Sequence, residues 1–310
     1  MPSVSAAAAL TSIVVVVADS GGDALACVEA VLASAAAVEL IVVDNASRDG
    51  VPEALACACA GDARVRLLRN GANLGFGAAV NRGAALAQGD VLLVLNPDCR
   101  LERDSVARLR AELAAQPRAG LIGAVVCDID GRPDRNAFRR DPLLARALAT
   151  FRARALGRGD AAAAGGVHGE GPMPTASVAV EAVSGALMLL PKAVFDAVGG
   201  FDEGYFLHCE DLDLCRRVRD AGYAVLLAGG VRVLHARGGS SRRRPLFVSW
   251  HKHRGMWRWF RRFDPAARHP LLMPVVWIGL WTHFALTAPR LAWSGWRARR
   301  GSRAALSDSG

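Results

Sequence analysis

An α/β fold with a mostly parallel sheet flanked by helices is the architecture this chain predicts, and three observations predict it. The apolar strands are unbroken runs such as Ile13-Val14-Val15-Val16-Val17 and Val91-Leu92-Leu93-Val94-Leu95, the pattern of strands buried on both faces. Helical stretches separate them, as the crossovers between parallel strands require. Polar residues stand just past strand ends, at Asp44 and at Asn96-Pro97-Asp98, where open parallel sheets bind ligands.

Taken in order, Ile13 to Val17 is a buried β-branched strand. Ala6 to Val17 is apolar but has no basic lead, so it does not read as a signal peptide. Asp23 to Ala37 predicts a helix, and Leu40 to Val43 a strand ending at Asp44. Val51 to Ala60 is helical, Val65 to Leu68 a strand and Gly77 to Ala87 an Ala-rich helix. Val91 to Leu95 is stopped by Asn96-Pro97. Asp104 to Ala115 predicts a helix and Leu121 to Val126 a strand. From 132 to 175 the pattern decays into Arg, Ala, Gly and Pro, which predicts a mobile insertion or lid. Order returns at Val180 to Leu190. Tyr223 to Leu227 and Val231 to Leu234 predict two further strands, the second ending at His235.

The bulk composition bounds the function. An apolar fraction of 52% and a charged fraction of 22% exclude a disordered chain. The net charge of +9 is unevenly spread, for Arg237 to Arg303 is rich in Arg and nearly free of acid. Such asymmetry points to an anionic surface as partner. The seven cysteines are odd in number and contain no C-x-x-C, which favours free thiols in a reducing compartment over a disulfide framework or zinc.

Three carboxylates fall within Glu210-Asp211-Leu212-Asp213, behind the turn Gly199-Gly200-Phe201-Asp202-Glu203. Phe201, Tyr205 and Phe206 lie close by, so the cluster is expected against apolar surface, where a carboxylate can be tuned as a base. Asp44, followed by Asn45, can accept a hydrogen bond from a pyrimidine imide or a ribose hydroxyl; the same residues also suit a turn and helix cap. Asn73-Leu74-Gly75-Phe76-Gly77, with Asn81 further on, is a glycine-bearing loop running into a helix, where a phosphate or sugar can approach. It is no dinucleotide fingerprint, because Val80 stands at the third glycine position. Asp98 suits a hard divalent cation such as Mg2+ or Mn2+, and His235 can add an imidazole from the opposite side. Arg237-Gly238-Gly239-Ser240-Ser241 follows as a candidate phosphate loop.

This ordered set resembles the inverting family-2 glycosyltransferases of the GT-A fold, and within them the bacterial rhamnosyltransferases of cell-wall and polysaccharide assembly. The resemblance spans about residues 11–245. It implies that Asp44 binds the nucleoside and that Asp98 is the surviving acid of the metal-binding D-x-D motif. It further implies that Asp211 is the general base and that His235 contacts metal or diphosphate. Asn73, Gly75, Gly77, Asn81, Glu210 and Asp213 are then expected around the donor. One departure is that Asn96 replaces the first acid of D-x-D, which weakens the inference of strict metal dependence.

The expected domains are 1–241, the glycosyltransferase unit, and 242–310, a basic aromatic region that meets a membrane. His269 to Pro289 is about the length of a span but holds Pro274 and His283; a spanning, an interfacial and a buried core helix all fit, and the flanking Trp and Arg favour the interfacial one. No nucleic-acid module accompanies the basic tail. The resemblance thus implies transfer of L-rhamnose from dTDP-rhamnose to a lipid-diphosphate-linked saccharide, at the cytoplasmic face of the inner membrane. A UDP-galactofuranose, UDP-GlcNAc or UDP-glucose donor, or a non-catalytic nucleotide-sugar-binding scaffold, are the alternatives.

Overall fold

In a computed structural model, which describes residues 9–134, 137–157, 173–236 and 244–307, the β-branched run near the N-terminus forms β1 (Thr11–Val17) at the centre of the sheet. The chain continues through α1 (Asp23–Leu32), β2 (Val38–Asp44), α2 (Val51–Ala58), β3 (Val65–Arg69), α3 (Phe76–Ala84) and β4 (Val91–Leu95). The short β5 (Cys99–Arg100), α4 (Ser105–Ala114) and β6 (Ala119–Cys127) complete the first part. The second part comprises β7 (Phe138–Arg139), α5 (Leu144–Ala155), β8 (Val178–Ala179), β9 (Ala182–Val183), β10 (Leu187–Pro191) and α6 (Lys192–Ala197). It ends with α7 (Glu210–Asp220), β11 (Ala224–His235), α8 (Pro245–Phe263), a 3-10 turn (Pro265–Arg268) and α9 (Leu272–Ser307).

Eight strands run in the order β3-β2-β1-β4-β10-β6-β11-β5, with β8 added beside β11. The pairs β1–β2, β1–β4, β2–β3 and β6–β11 are parallel, whereas β10 runs antiparallel between β4 and β6. Alternation along β1 sends Ile13, Val15 and Val17 into one core layer and Val14 and Val16 into the other, so both faces are dry. The chain runs outward from β1 through β2 to β3 and then returns past β1 to β4, so the strand order reverses at β1. That is the switch point at which such sheets open a crevice. Asp44 and Asn96-Pro97-Asp98 border it.

Four expectations are corrected. The first helix stops at Leu32 rather than Ala37, because the backbone at Ala35 and Ala37 is taken up by bonds to Arg103 and Thr11. The two strands expected after Tyr223 are one, β11, whose pairing with β6 shifts register between Ala228 and Arg232, where Gly229-Gly230 intervene. Within 132–175, the residues 137–157 are an anchored strand and helix. Asp141 is buried and accepts from Arg216 (2.9 Å) and Arg219 (2.6 Å) of α7, and Arg146 pairs with Glu181 at 2.7 Å. Ala137 is buried and Phe138 and Leu143 pack on the core, but Leu148 and Phe151 of α5 are exposed and ion pairs anchor the helix, so hydrophobic periodicity could not reveal it; residues 135–136 and 158–172 lie outside the described residues. Finally, a boundary at 241/242 divides a packed unit. Trp259 of α8 is fully buried in the core layer that also holds Val14, Leu212 and Leu214.

One helix among the described residues, α9, is long and apolar enough to cross a membrane over Leu272–Trp296, and its most apolar stretch is not buried. Pro274 sits in its first turn, where a missing N–H is tolerated, and Pro289 lies inside it.

Candidate active site

Asp44 ends β2 in register with Val17 of β1 and Arg69 of β3, so strand pairing alone delivers its carboxylate to the crevice. Its Oδ1 accepts from the Ser47 N–H at 2.8 Å, and its Oδ2 has no donor among the described residues. Beside it, Asn45 is buried and its amide is fully used. It donates to Asn73 Oδ1 (2.9 Å) and Gly75 O (3.2 Å), and accepts from Asn70 Nδ2 and the Leu74 N–H at 3.0 Å each. Asn45 therefore braces the glycine loop. A residue missed in the sequence, Asp19, joins this edge in a left-handed backbone conformation (φ 53°), and its Oδ1 accepts from the Arg48 N–H at 2.7 Å.

The glycine loop turns its small residues toward protein. Gly75 has φ 88°, and a Cβ built there would lie 2.7 Å from Phe206 O. Gly77 packs against Phe201 in the same way, and Asn81 bonds the Phe201 backbone through both ends of its amide (2.8 and 2.9 Å). The loop thus clamps the acidic segment. Approach of a phosphate or sugar was the expectation; the contacts seen at Gly75 and Gly77 are close packing against Phe206 and Phe201.

Asp98 and His235 meet, as expected, because β11 pairs with β5 and sets His235 opposite Cys99. His235 Nε2 lies 2.9 Å from Asp98 Oδ1, and Asp98, Cys99 and His235 present ligand atoms within 4.8 Å of one another. Burial drives the Cys99 thiol well above its ordinary pKa, and its Sγ contacts Ala186 O at 3.5 Å. A neutral thiol is a poor ligand for a hard cation, so Asp98 and His235 are the two that fit Mg2+ or Mn2+. The loop that follows, Arg237–Ser241, lies outside the described residues.

The E-D-x-D cluster opens α7 after two strained residues. His208 and Cys209 hold φ of 67° and 70°, a region that costs non-glycine residues on the order of 1–3 kcal/mol each. The kink turns the three acids in different directions. Asp213 is fully buried between Arg217 (2.5 Å) and Arg262 (3.1 Å), which makes it a structural anchor rather than a ligand for substrate. Glu210 is buried with its Oε2 unpartnered, and burial, reinforced by the Asp211 charge, pushes its carboxyl up to about 8. Burial would raise Asp211 as well. There the Arg139 guanidinium and the N–H groups of Gly185 (3.0 Å) and Leu212 (2.8 Å) outweigh it and hold the carboxyl below the usual range. Asp211 is the ionised member of the pair and Glu210 the neutral one, a distinction that charge in the sequence could not make. His208 lies against this pair, lowered by burial to about 4 and so neutral, with its Nε2 unpartnered.

Arg139 and Gly185 are the residues sequence reasoning missed at Asp211. Pairing of β7 with β9 brings Arg139 across from Ala182, and its guanidinium then reaches both Val183 O and Asp211. A Cβ at Gly185 would stand 3.2 Å from that of Asp211, so the Ser184-Gly185 turn is a close cradle. Only the neighbouring glycine hinted at it. The same turn ties the Asp211 and Asp98 corners together, for Ala186 O accepts from the Asn96 N–H at 2.9 Å.

Comparison with known proteins gives the family and the fold. The sequence profile "Glycosyl transferase family 2" matches residues 12–165. The chain is 32% identical over 277 residues to the N-acetylglucosaminyl-diphospho-decaprenol L-rhamnosyltransferase of Mycobacterium tuberculosis, covering 78% of this chain and 85% of that protein. Among solved structures, GalNAc-T7 with UDP, GalNAc and Mn2+ superposes with a TM-score of 0.59 at 18% identity, covering 83% of this chain and 48% of that one. The mannosyltransferase PcManGT of Pyrobaculum calidifontis, in complex with GDP-Man and Mn2+, gives 0.56 at 18% identity, covering 95% and 75%. The chain has the GT-A fold and belongs to glycosyl transferase family 2: it is a glycosyltransferase.

Proposed function

We propose that this glycosyltransferase moves L-rhamnose from dTDP-rhamnose to a saccharide linked through a diphosphate to a membrane lipid. The observation that carries the reading is the convergence on one sheet edge of Asp44, the Asp98–His235 pair and an ionised Asp211. The M. tuberculosis relative, whose name specifies a rhamnosyl donor residue and a diphospho-decaprenol acceptor, supports the substrate class.

In the mechanism we infer, Asp44 Oδ2 accepts from the nucleobase or ribose and sets the donor along the crevice. Asp98 and His235 would hold Mg2+ or Mn2+, which supplies charge neutralisation for the leaving diphosphate. Asp211, anionic and cradled by Gly185, takes the proton of the acceptor hydroxyl as that oxygen attacks the anomeric carbon, and the configuration inverts. Glu210, neutral beside it, leaves the basic role to Asp211. Arg139 keeps Asp211 ionised in the free enzyme. The enzyme works at the cytoplasmic face of the membrane, with α9 lying in the interface through its exposed Val275, Ile278 and Leu286.

The test is a transfer assay with full-length protein, an N-acetylglucosaminyl-diphospho-lipid acceptor, dTDP-rhamnose and UDP-sugars, with Mg2+ or Mn2+ or with chelator. Rhamnosylated lipid formed from dTDP-rhamnose, and suppressed by chelator, is the expected result. A product formed only from a UDP-sugar would replace the donor, and undiminished turnover in chelator would remove the cation.

A further inference from the structure

We propose that an arginine–tryptophan pocket between α8 and α9 is the binding site for the diphosphate and first isoprenoid units of a lipid diphosphate; the inference rests on the acceptor class given above. The pocket is an open groove of about 550 Å³, within the range of small-ligand sites, bordered by Gly204 in the segment leading to Glu210-Asp211. Trp250, Trp257 and Trp281 form its apolar walls, with Trp250 and Trp281 rings 4.7 Å apart. A 3.0 Å hydrogen bond between His253 Nε2 and His283 Nδ1 joins the two helices behind them.

Four arginines of α8 line this space, and they are not equivalent. Arg258 pairs with Asp202 (2.8 Å), and Arg262 with Asp202 (2.6 Å) and Asp213 (3.1 Å). Arg254 and Arg261 have no carboxylate partner among the described residues; Arg261 lies over the Trp257 ring, 6.0 Å from its centroid. Two uncompensated guanidiniums match the one charge per phosphate of a diphosphate diester, and their forked donors suit its oxygens. The walls around them are aromatic, which free phosphate does not need and an isoprenoid does. From Trp281 the exposed apolar side chains Trp277, Ile278 and Val275 continue along α9, offering a path for the rest of the lipid into the membrane.

The pocket runs along α8, and its Trp250–Arg254 end adjoins the Phe206 segment. Phe247 and His251 pack on Phe206, with His251 stacked at 4.5 Å, and Phe206 is the residue that the glycine loop clamps. Arg254 follows His251 by three residues, a rise of about 4.5 Å. A saccharide on a diphosphate seated at Arg254 therefore extends toward the edge that holds Asp211.

The experiment uses full-length protein and titration calorimetry with farnesyl diphosphate, in chelator so that the probe stays off the Asp98–His235 corner. Farnesol, inorganic diphosphate and phosphatidylglycerol vesicles are the comparison arms. Wild type should bind farnesyl diphosphate at least about 10-fold more tightly than either fragment, and R254A/R261A should lose about 10-fold or more. Since both arginines are exposed the fold should hold, and if the double variant melts early, R254K/R261K and the single reversal R254E carry the comparison. Unchanged farnesyl diphosphate affinity in the variants overturns the proposal. So does equal binding of inorganic diphosphate, or loss of vesicle binding alone, which would make the patch a plain membrane contact. Lipid-diphosphate binding through these arginines in a protein that transfers no sugar would leave the pocket standing and remove the acceptor reading. Transfer with unchanged acceptor KM in R254A/R261A would do the reverse.

Discussion

Asp44 and Asp211 stand on the same sheet edge and reach it by opposite routes. Asp44 is the last residue of a central strand, and pairing with β1 and β3 is sufficient to place it. Asp211 depends on a left-handed His208-Cys209 step, a glycine N–H from residue 185 and a guanidinium from residue 139. The Asp44 side of the site is thus a property of local strand–loop–helix units. The Asp211 side is a property of segments far apart in the chain, held by charge and by backbone strain. Its supports extend into α8, where Arg262 secures Asp213 and the buried Trp259 fills the core beneath. A carboxylate held by remote contacts is more exposed to distant substitutions than one held by its own strand.

The largest effect that can break this comparison is at the proposed base. Asp211→Asn should lower kcat by about 10²–10⁴-fold with donor KM nearly unchanged, since a base acts on the transition state. Steady-state kinetics decide it, and near-normal turnover would move the role elsewhere.

Next is the support from α8. Trp259→Ala should destabilise the protein by about 3–5 kcal/mol, as loss of a buried tryptophan does. Trp259→Phe should cost much less, because the indole N–H has no acceptor to lose. Urea unfolding of the two variants measures the difference; an exposed-residue response to Trp259→Ala would return α8 to the status of a separable tail.

Asp98→Ala should weaken Mn2+-dependent donor binding by at least the about 10–100-fold that loss of an outer-shell partner causes, with His235→Ala smaller. Binding titrations at varied Mn2+ test the pair, and equal affinities with and without cation would leave them as structural contacts.

The smallest effect is a pH dependence that separates Glu210 from its neighbours. Its folded pKa, about 8, lies above the ordinary 4.5, so its contribution is complete below about 4.5 and is lost as pH rises through 8. His208 works oppositely: lowered from 6.5 to about 4, it contributes above 6.5 and loses that as pH falls through 4. Between 4.5 and 6.5 the two oppose, and from 6.5 to 8 Glu210 acts alone. Wild type should therefore lose on the order of 2 kcal/mol across pH 6.5–8, and Glu210→Gln should flatten that slope. Urea midpoints at the two pH values give the comparison, and parallel slopes would show Glu210 to be ionised in the fold.

The sequence by itself determined the parallel sheet, its strand ends and the residues that ride on them. Asp44, Asp98 and His235 were legible because unbroken apolar runs and the turns that stop them are local signals, carried by adjacent residues. Only the tertiary structure decided that Asn45, Gly75 and Asn81 serve to clamp the acidic segment, and that Asp213 is an anchor between two arginines. It alone separated Glu210 from Asp211, and it alone brought Arg139 to the site from a stretch that reads as patternless. The physical reason is the reach of the forces involved. Hydrophobic periodicity is written every two or four residues, whereas burial, ion pairing and pKa depend on which distant surfaces close over a group, and that is settled only when the chain has packed.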